Sequence, residues 1–232
     1  MKTWELLLLT GAPISGGIIA FFLKTKNKND YKLVLSFSGA FLFSITVIHL
    51  FPLIFKNGES AGLYVLLGFF IQIFLEQLTH GIEHGHFHEH SENNSYILAV
   101  LTGLTLHSFL DGIPLANAGM LQSSHTSLLY GISLHKIPEG FALTSILLFS
   151  FLKKPQILII LFLFSLAAPS AVLIADHFIN SRFFFVLIAM ASGSLLHVST
   201  TILFESESGS HFFGWKKITA IILGVGLSLL TA

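Results

Sequence analysis

Two six-residue segments contain the residues whose types and spacing most clearly predict chemistry. The segments are HSFLDG at 107–112 and HKIPEG at 135–140, and each consists of a histidine, three residues, a carboxylate and a glycine. Positions i and i+4 share one face of a helix, so each segment would present an imidazole beside a carboxylate. Two such helices facing each other would place nitrogen and oxygen ligands around one point, and their two carboxylates would match a divalent ion such as Zn²⁺ or Fe²⁺. The pattern predicts a metal site made of His107, Asp111, His135 and Glu139.

The composition indicates that this site lies inside a membrane. Of the 232 residues, 53% are hydrophobic and only 10% are charged, and the mean hydropathy is +0.79. A soluble domain has about 25% charged residues, because its exterior must be polar. The chain has no cysteine, so its metal ligands must be imidazoles and carboxylates. Its net charge of zero gives no support for a nucleic-acid partner.

Apolar runs long enough to cross a bilayer recur along the whole chain, separated by short polar clusters. We therefore predict an all-α integral membrane protein in a lipid bilayer, with one transmembrane domain over 1–232. The first run is interpreted as a retained helix, because it continues to Leu23, beyond the usual core of a signal peptide. The eight predicted spans are 4–23, 33–55, 61–79, 96–119, 126–151, 155–175, 183–204 and 214–231.

The basic residues predict the orientation of these spans. With both termini extracytoplasmic, the loops after spans one, three, five and seven face the cytoplasm and contain eight lysines, whereas three basic residues lie outside. This asymmetry follows the positive-inside rule and predicts a multi-pass protein of the cell membrane. Spans four and five then run in opposite directions, so their shared motif predicts an inverted repeat. The cytoplasmic lysines are Lys24, Lys26, Lys28, Lys32, Lys153, Lys154, Lys216 and Lys217, and the outer basic residues are Lys2, Lys56 and Arg182.

Charged side chains within the spans are costly. A charge at the centre of a bilayer costs about 2.5–3.5 kcal/mol on insertion scales, so Asp111, Glu139 and Lys136 are not expected there without partners. A cluster of salt bridges that only packs helices together is the alternative to a metal site. The doubled motif favours the metal site, because helix packing gives no reason for the same spacing to occur twice.

Other histidines lie outside the two motifs. His49, in the outer half of span two, is interpreted either as a packed residue or as a ligand on the path by which an ion reaches the site. The predicted cytoplasmic loop at 80–95 is rich in histidine, and such tracts bind transition metals loosely. We interpret this loop as a metal sensor or buffer, with a plain solvated loop as the alternative. Its histidines are His80, His84, His86, His88 and His90.

The two motifs resemble those of the fourth and fifth helices of the ZIP (Zrt/Irt-like) family of metal transporters, and the eight spans, outer termini and histidine-rich loop are also similar to that family. The resemblance implies that the four motif ligands form the transport site. It also implies transport toward the cytoplasm, with Zn²⁺ as the expected substrate and Fe²⁺, Mn²⁺ and Cd²⁺ as alternatives. No cofactor is implied.

The chain departs from this family where many members hold a second ion. Such members tend to have Asn after the first motif histidine and an acidic residue after the second, whereas this chain has Ser108 and Lys136. Helical geometry places both residues on one side of the predicted site. We predict that the Lys136 ammonium pairs with Glu139, and with Asp111 as a further partner, in place of a second ion. The alternative is that Lys136 extends to the membrane surface.

Two other functions fit parts of the pattern. A cation diffusion facilitator also uses intramembrane His and Asp ligands and a histidine-rich loop, but such exporters have six spans and usually a soluble C-terminal domain. An intramembrane metallohydrolase would need a motif such as HExxH, which this sequence lacks. We therefore expect a transporter and not an enzyme. Small residues at helical spacing are compatible with a homodimer, but packing within one protomer explains them equally well.

Overall fold

The computed structural model describes residues 1–22, 28–58, 60–79, 94–116, 118–121, 124–178, 180–205 and 214–230. Within these ranges the chain is helical and contains no β-strand, which confirms the predicted all-α fold. The helices are α1 (Thr3–Phe22), α2 (Lys28–Ile45), α3 (Phe51–Asn57), α4 (Ala61–Thr79), α5 (Asn94–Gly112), α6 (Ala118–Leu121), α7 (Ser124–Leu148), α8 (Lys154–Ser165), α9 (Ala167–Phe178), α10 (Ser181–Glu205) and α11 (Trp215–Leu230).

Six helical segments of the described chain are long and apolar enough to cross a membrane. They are Thr3–Phe22, Lys32–Lys56, Ala61–Thr79, Ser95–Leu115, Lys154–Phe178 and Phe183–Phe204. The other two predicted spans are also helical: α7 is 25 residues long but carries the polar second motif, and the described part of α11 has 16 residues. Large apolar side chains such as Phe70 and Phe74 lie on the molecular surface, as expected where lipid takes the place of water.

Two predicted spans are interrupted at prolines. Span two contains a π-helical turn at Thr46–Leu50 between α2 and α3. Pro52 follows at once and cannot donate a hydrogen bond to the carbonyl of Ile48. Span six divides at Leu166 into α8 and α9, and Pro169 likewise leaves the carbonyl of Ser165 without its helical donor. The missing donors favour these irregularities but do not require them, because α1 and α7 continue past Pro13 and Pro138.

The helices form two groups according to how they pack. One group consists of α1, α5, α7, α8 and α9, and the other of α2, α4, α10 and α11. The groups meet mainly where α2 packs against α7 and where α4 packs against α5. Both motif helices, α5 and α7, therefore belong to one group and lie beside the other.

The glycine that ends each motif allows a close approach between helices. A Cβ atom at Gly140 of α7 would collide with the backbone of Pro13 in α1, and one at Gly112 of α5 would collide with the backbone of Ala168 in α9. Each motif helix is thus fixed against a neighbour immediately after its carboxylate. The inverted-repeat relation between α5 and α7 stays a prediction, and this parallel use of the two glycines is compatible with it.

Candidate metal centre

The structure brings the four predicted ligands together. His107 and Asp111 lie on α5, His135 and Glu139 lie on α7, and all four side chains are buried. One ligand atom from each lies within 4.8 Å of every other. The Nε2 atom of His107 lies 3.2 Å from Asp111 Oδ2 and 3.3 Å from Glu139 Oε1, and His135 Nε2 lies 3.1 Å from Glu139 Oε1. The i, i+4 spacing and the contact between α5 and α7 together form this cluster.

The geometry of these atoms suits a small divalent ion. Zinc binds His nitrogen and carboxylate oxygen at about 2.0–2.2 Å, so the ligand atoms of a tetrahedral site lie about 3.4 Å apart. The nitrogen–oxygen distances of 3.1–3.3 Å are close to that value. Neither His107 Nε2 nor His135 Nε2 makes a hydrogen bond of acceptable geometry with any described residue. Buried nitrogens without such partners are available to bind a metal.

Lys136 lies against both carboxylates of the cluster. Its Nζ atom donates hydrogen bonds to Asp111 Oδ2 at 2.6 Å and to the two carboxylate oxygens of Glu139 at 2.8 and 2.9 Å. The side chain is fully buried and does not extend to a membrane surface. One ammonium therefore balances part of the charge of two carboxylates. An arriving cation must share these oxygens with Lys136 or displace it.

Gln72 and Ser194 support the cluster and were not predicted from the sequence. Gln72 on α4 places its Oε1 atom 3.1 Å from His107 Nδ1, and Ser194 on α10 donates a hydrogen bond to the same oxygen at 2.8 Å. Both side chains are buried. The sequence contains a usable signal for Gln72, because an amide in the middle of an apolar span requires a partner in the membrane.

The remaining predicted residues are not members of the four-ligand cluster. Ser108 is buried on α5 next to His107. His49 lies in the π-helical turn, outside the four-ligand cluster, and its buried Nε2 has no hydrogen-bond partner among the described residues. Its role on an access path stays a prediction. The histidine-rich loop lies outside the described residues, so the prediction for His80, His84, His86, His88 and His90 stays a prediction too.

A second polar pair connects α4 with α10. His197 Nε2 contacts Glu76 Oε2, and the imidazole packs edge-on against Phe69 with the ring centres 4.9 Å apart. Glu76 lies one helical turn beyond Gln72. Both side chains of the pair are partly exposed, unlike the ligands of the cluster. This pair was not predicted from the sequence, because helical spacing does not show that α4 and α10 pack side by side.

Comparisons with known proteins agree with the geometry. Residues 95–232, more than half of the chain, match the family described as ZIP Zinc transporter. One similar protein is Zinc transporter ZIP9 from Micropogonias undulatus, 29% identical over 167 residues that cover 70% of this chain and 50% of that relative. Zinc transporter ZIP9 from Xenopus tropicalis is 31% identical over 113 residues, which cover 47% of this chain and 37% of that relative. The chain thus matches half or less of the length of these curated relatives.

Proposed function

Because the chain belongs to the ZIP zinc transporter family, we propose that it carries divalent transition-metal ions across a membrane, with Zn²⁺ as the expected substrate and Fe²⁺, Mn²⁺ and Cd²⁺ as alternatives. The observation that carries this proposal is the buried cluster of two imidazoles and two carboxylates within the apolar helices. Charged side chains in that position cost free energy, and the binding of a cation in transit would explain why they are there.

The cluster replaces the water that a metal ion loses on entering the membrane. Two imidazole nitrogens and two carboxylate oxygens form a common zinc coordination set. The carboxylates carry two negative charges, and Lys136 offsets one of them while it stays protonated. The ion is therefore bound by a site with a net charge of −1, which weakens binding and favours release on the opposite side.

We further propose that one ion, not two, occupies this centre. The Lys136 ammonium lies on the side of the cluster where a second ion would need the same Asp111 and Glu139 oxygens. Two dications sharing these two carboxylates would also face the lysine charge. The short distances of 2.6–2.9 Å support a stand-in role for Lys136.

We propose that transport runs toward the cytoplasm, as the resemblance to the family implies. The lysine-rich loops support an orientation with both termini outside the cytoplasm, in a multi-pass protein of the cell membrane. Transport toward the cytoplasm would then bring ions from the side of His49 to that of the histidine-rich loop. The opposite direction would characterise a cation diffusion facilitator, and the family match favours the ZIP interpretation. That match also favours a transporter over a metallohydrolase.

Flux into proteoliposomes that contain a zinc-sensitive dye tests the proposal. We expect zinc to enter vesicles containing the wild-type chain, and Asp111→Ala or Glu139→Ala to abolish entry because each removes half of the carboxylate charge. Asp111→Asn and Glu139→Gln keep the size of the side chain and separate loss of charge from misfolding. Asp176→Ala serves as the control, because that carboxylate contacts the N-terminal amine at 3.3 Å, outside the cluster. Near-normal zinc, iron and manganese flux in both cluster variants would contradict the assignment.

A further inference from the structure

We propose that Gln72 is a positioning residue that selects one tautomer of the neutral His107 imidazole, with the proton on Nδ1 and with Nε2 facing the cluster. Ser194 holds the Gln72 amide in place for this task. The identity of the ion that Nε2 binds rests on the proposed transport function. The tautomer is a property of the ion-free protein and can be tested separately.

Gln72 is buried, so its amide group needs hydrogen-bond partners within the protein. The side chain lies within α4 between apolar residues and is fully buried. An amide in such surroundings is strongly unfavourable unless it forms hydrogen bonds. Its Oε1 atom faces two groups, Ser194 Oγ at 2.8 Å and His107 Nδ1 at 3.1 Å. The amide oxygen therefore connects the α4–α10 pair to a ligand of the candidate metal site.

The chemistry of an amide oxygen determines which nitrogen of His107 carries the proton. An amide oxygen only accepts hydrogen bonds, and it has two lone pairs. Ser194 Oγ donates to one of them. The contact with His107 Nδ1 is favourable only if Nδ1 donates to the other, so Nδ1 must carry a proton. In the neutral imidazole, Nε2 is then unprotonated.

The other nitrogen of the ring faces the carboxylates of the cluster. Nε2 lies 3.2 Å from Asp111 Oδ2 and 3.3 Å from Glu139 Oε1. These oxygens would repel a lone pair on Nε2, so an incoming cation replaces a proton there. Because Gln72 holds Nδ1, Nε2 is the nitrogen that is directed at the cation, as in metal sites where a neighbouring group orients the histidine.

The His135 imidazole has no hydrogen-bond partner equivalent to Gln72 in the described part of the chain, so it serves as a comparison within the same site. Neither Nδ1 nor Nε2 of His135 has a hydrogen-bond partner among the residues that the structure describes. The two rings lie 6.0 Å apart and are perpendicular. The amide oxygen of Gln72 therefore acts on His107. Its loss should change the His107 ring and leave the His135 ring as it is.

Nitrogen-15 spectra of the metal-free protein with labelled histidine test the tautomer directly, and a His107→Asn sample identifies the resonances of His107. We expect a proton on Nδ1 of His107 in the wild type. Gln72→Leu should shift the Nδ1 resonance of His107 and leave the resonances of His135 unchanged. A wild-type His107 without a proton on Nδ1, or an unchanged spectrum in Gln72→Leu, would overturn the proposal.

Zinc binding and flux provide the second readout. Loss of a group that orients a metal-binding histidine typically costs about 10- to 100-fold in metal affinity. We expect Gln72→Leu to raise the apparent KM for zinc in this range, with a smaller change in maximal rate. Gln72→Glu should restore the affinity, because a carboxylate also accepts from Nδ1. Unchanged zinc affinity in Gln72→Leu, or failure of Gln72→Glu to restore it, would overturn the role.

Two serines of α10 form a matched pair for this measurement. Ser194→Ala removes the hydroxyl that holds Gln72 and should weaken zinc binding less than Gln72→Leu does. Ser192→Ala removes a buried hydroxyl that donates only to the carbonyl of Ile188 in its own helix, at 2.7 Å, and should change nothing. Equal effects of the two serine variants would contradict the role of Ser194. If the wild type shows the expected tautomer but no flux, the transport proposal fails while the positioning role stands.

Discussion

Lys136→Met should destabilise the metal-free protein and strengthen zinc binding. Methionine has nearly the length of lysine but no charge, so it removes hydrogen bonds of 2.6, 2.8 and 2.9 Å from Asp111 and Glu139. The two carboxylates then face each other inside the bundle without a cation. Removing one partner of a buried ion pair typically costs about 3–5 kcal/mol. We expect a loss of this size in the stability of the metal-free protein.

The same change should favour the metal-bound protein. Two unit charges 4 Å apart interact by about 4 kcal/mol at an effective dielectric constant of 20, so the ammonium opposes a nearby dication strongly. Protonation of one carboxylate in the variant would offset much of this gain. We therefore expect zinc to bind at least about tenfold more tightly, which corresponds to roughly 1.4 kcal/mol.

Thermal unfolding of the purified protein, with and without saturating zinc, measures both effects. Lys136→Met should unfold at a lower temperature than the wild type without zinc and show a larger zinc-induced increase. Lys217→Met is the matched control, because this second buried lysine lies on α11, away from the cluster, and should leave the zinc-induced increase unchanged. A correctly folded Lys136→Met protein that binds zinc more weakly than the wild type would refute the competition between lysine and metal.

Three further predictions concern other parts of the chain. Gly140→Ala should destabilise the protein by about 1–3 kcal/mol, because the added methyl group collides with Pro13. The control in thermal unfolding is Gly119→Ala, where no described atom lies within 4 Å of the new Cβ. Equal stability of the two variants would contradict the close contact. His49→Ala should raise the KM for zinc flux without abolishing it if His49 lies on the access path, whereas unchanged kinetics would leave it a packed residue. Replacing four loop histidines with Ser should keep the maximal zinc flux and weaken transport at low zinc concentration. Complete loss of flux would show that the transport site is wrongly assigned. The four residues are His84, His86, His88 and His90.

The four-ligand cluster was predictable because each of its two pairs lies within one short segment of the sequence. The i, i+4 spacing places His107 beside Asp111 and His135 beside Glu139 on any regular helix, and the cost of isolated charges in a membrane favours contact between the two pairs. The pairing of Lys136 with Glu139 also follows from helical geometry. The family resemblance is confirmed by the match over residues 95–232.

The support for His107 was not predictable, because it depends on which helices are neighbours. Gln72, Ser194 and His107 are distant in the sequence and meet only because α4 packs against both α5 and α10. The helix bounds were partly predictable. Apolar length indicated spans at 33–55 and 155–175, and the structure has membrane-length helical segments at Lys32–Lys56 and Lys154–Phe178. Apolar length did not indicate the π-helical turn in the first segment or the division at Leu166 in the second.

A metal-bound structure with anomalous scattering at the zinc edge tests the central claim most directly. We predict a single ion bound by His107 Nε2, Asp111, His135 and Glu139, with Lys136 still in contact with at least one of the two carboxylates. Two ions about 4 Å apart, with Lys136 directed away from both carboxylates, would contradict the single-ion proposal. An ion bound elsewhere, with these four side chains empty, would contradict the assignment of the site itself.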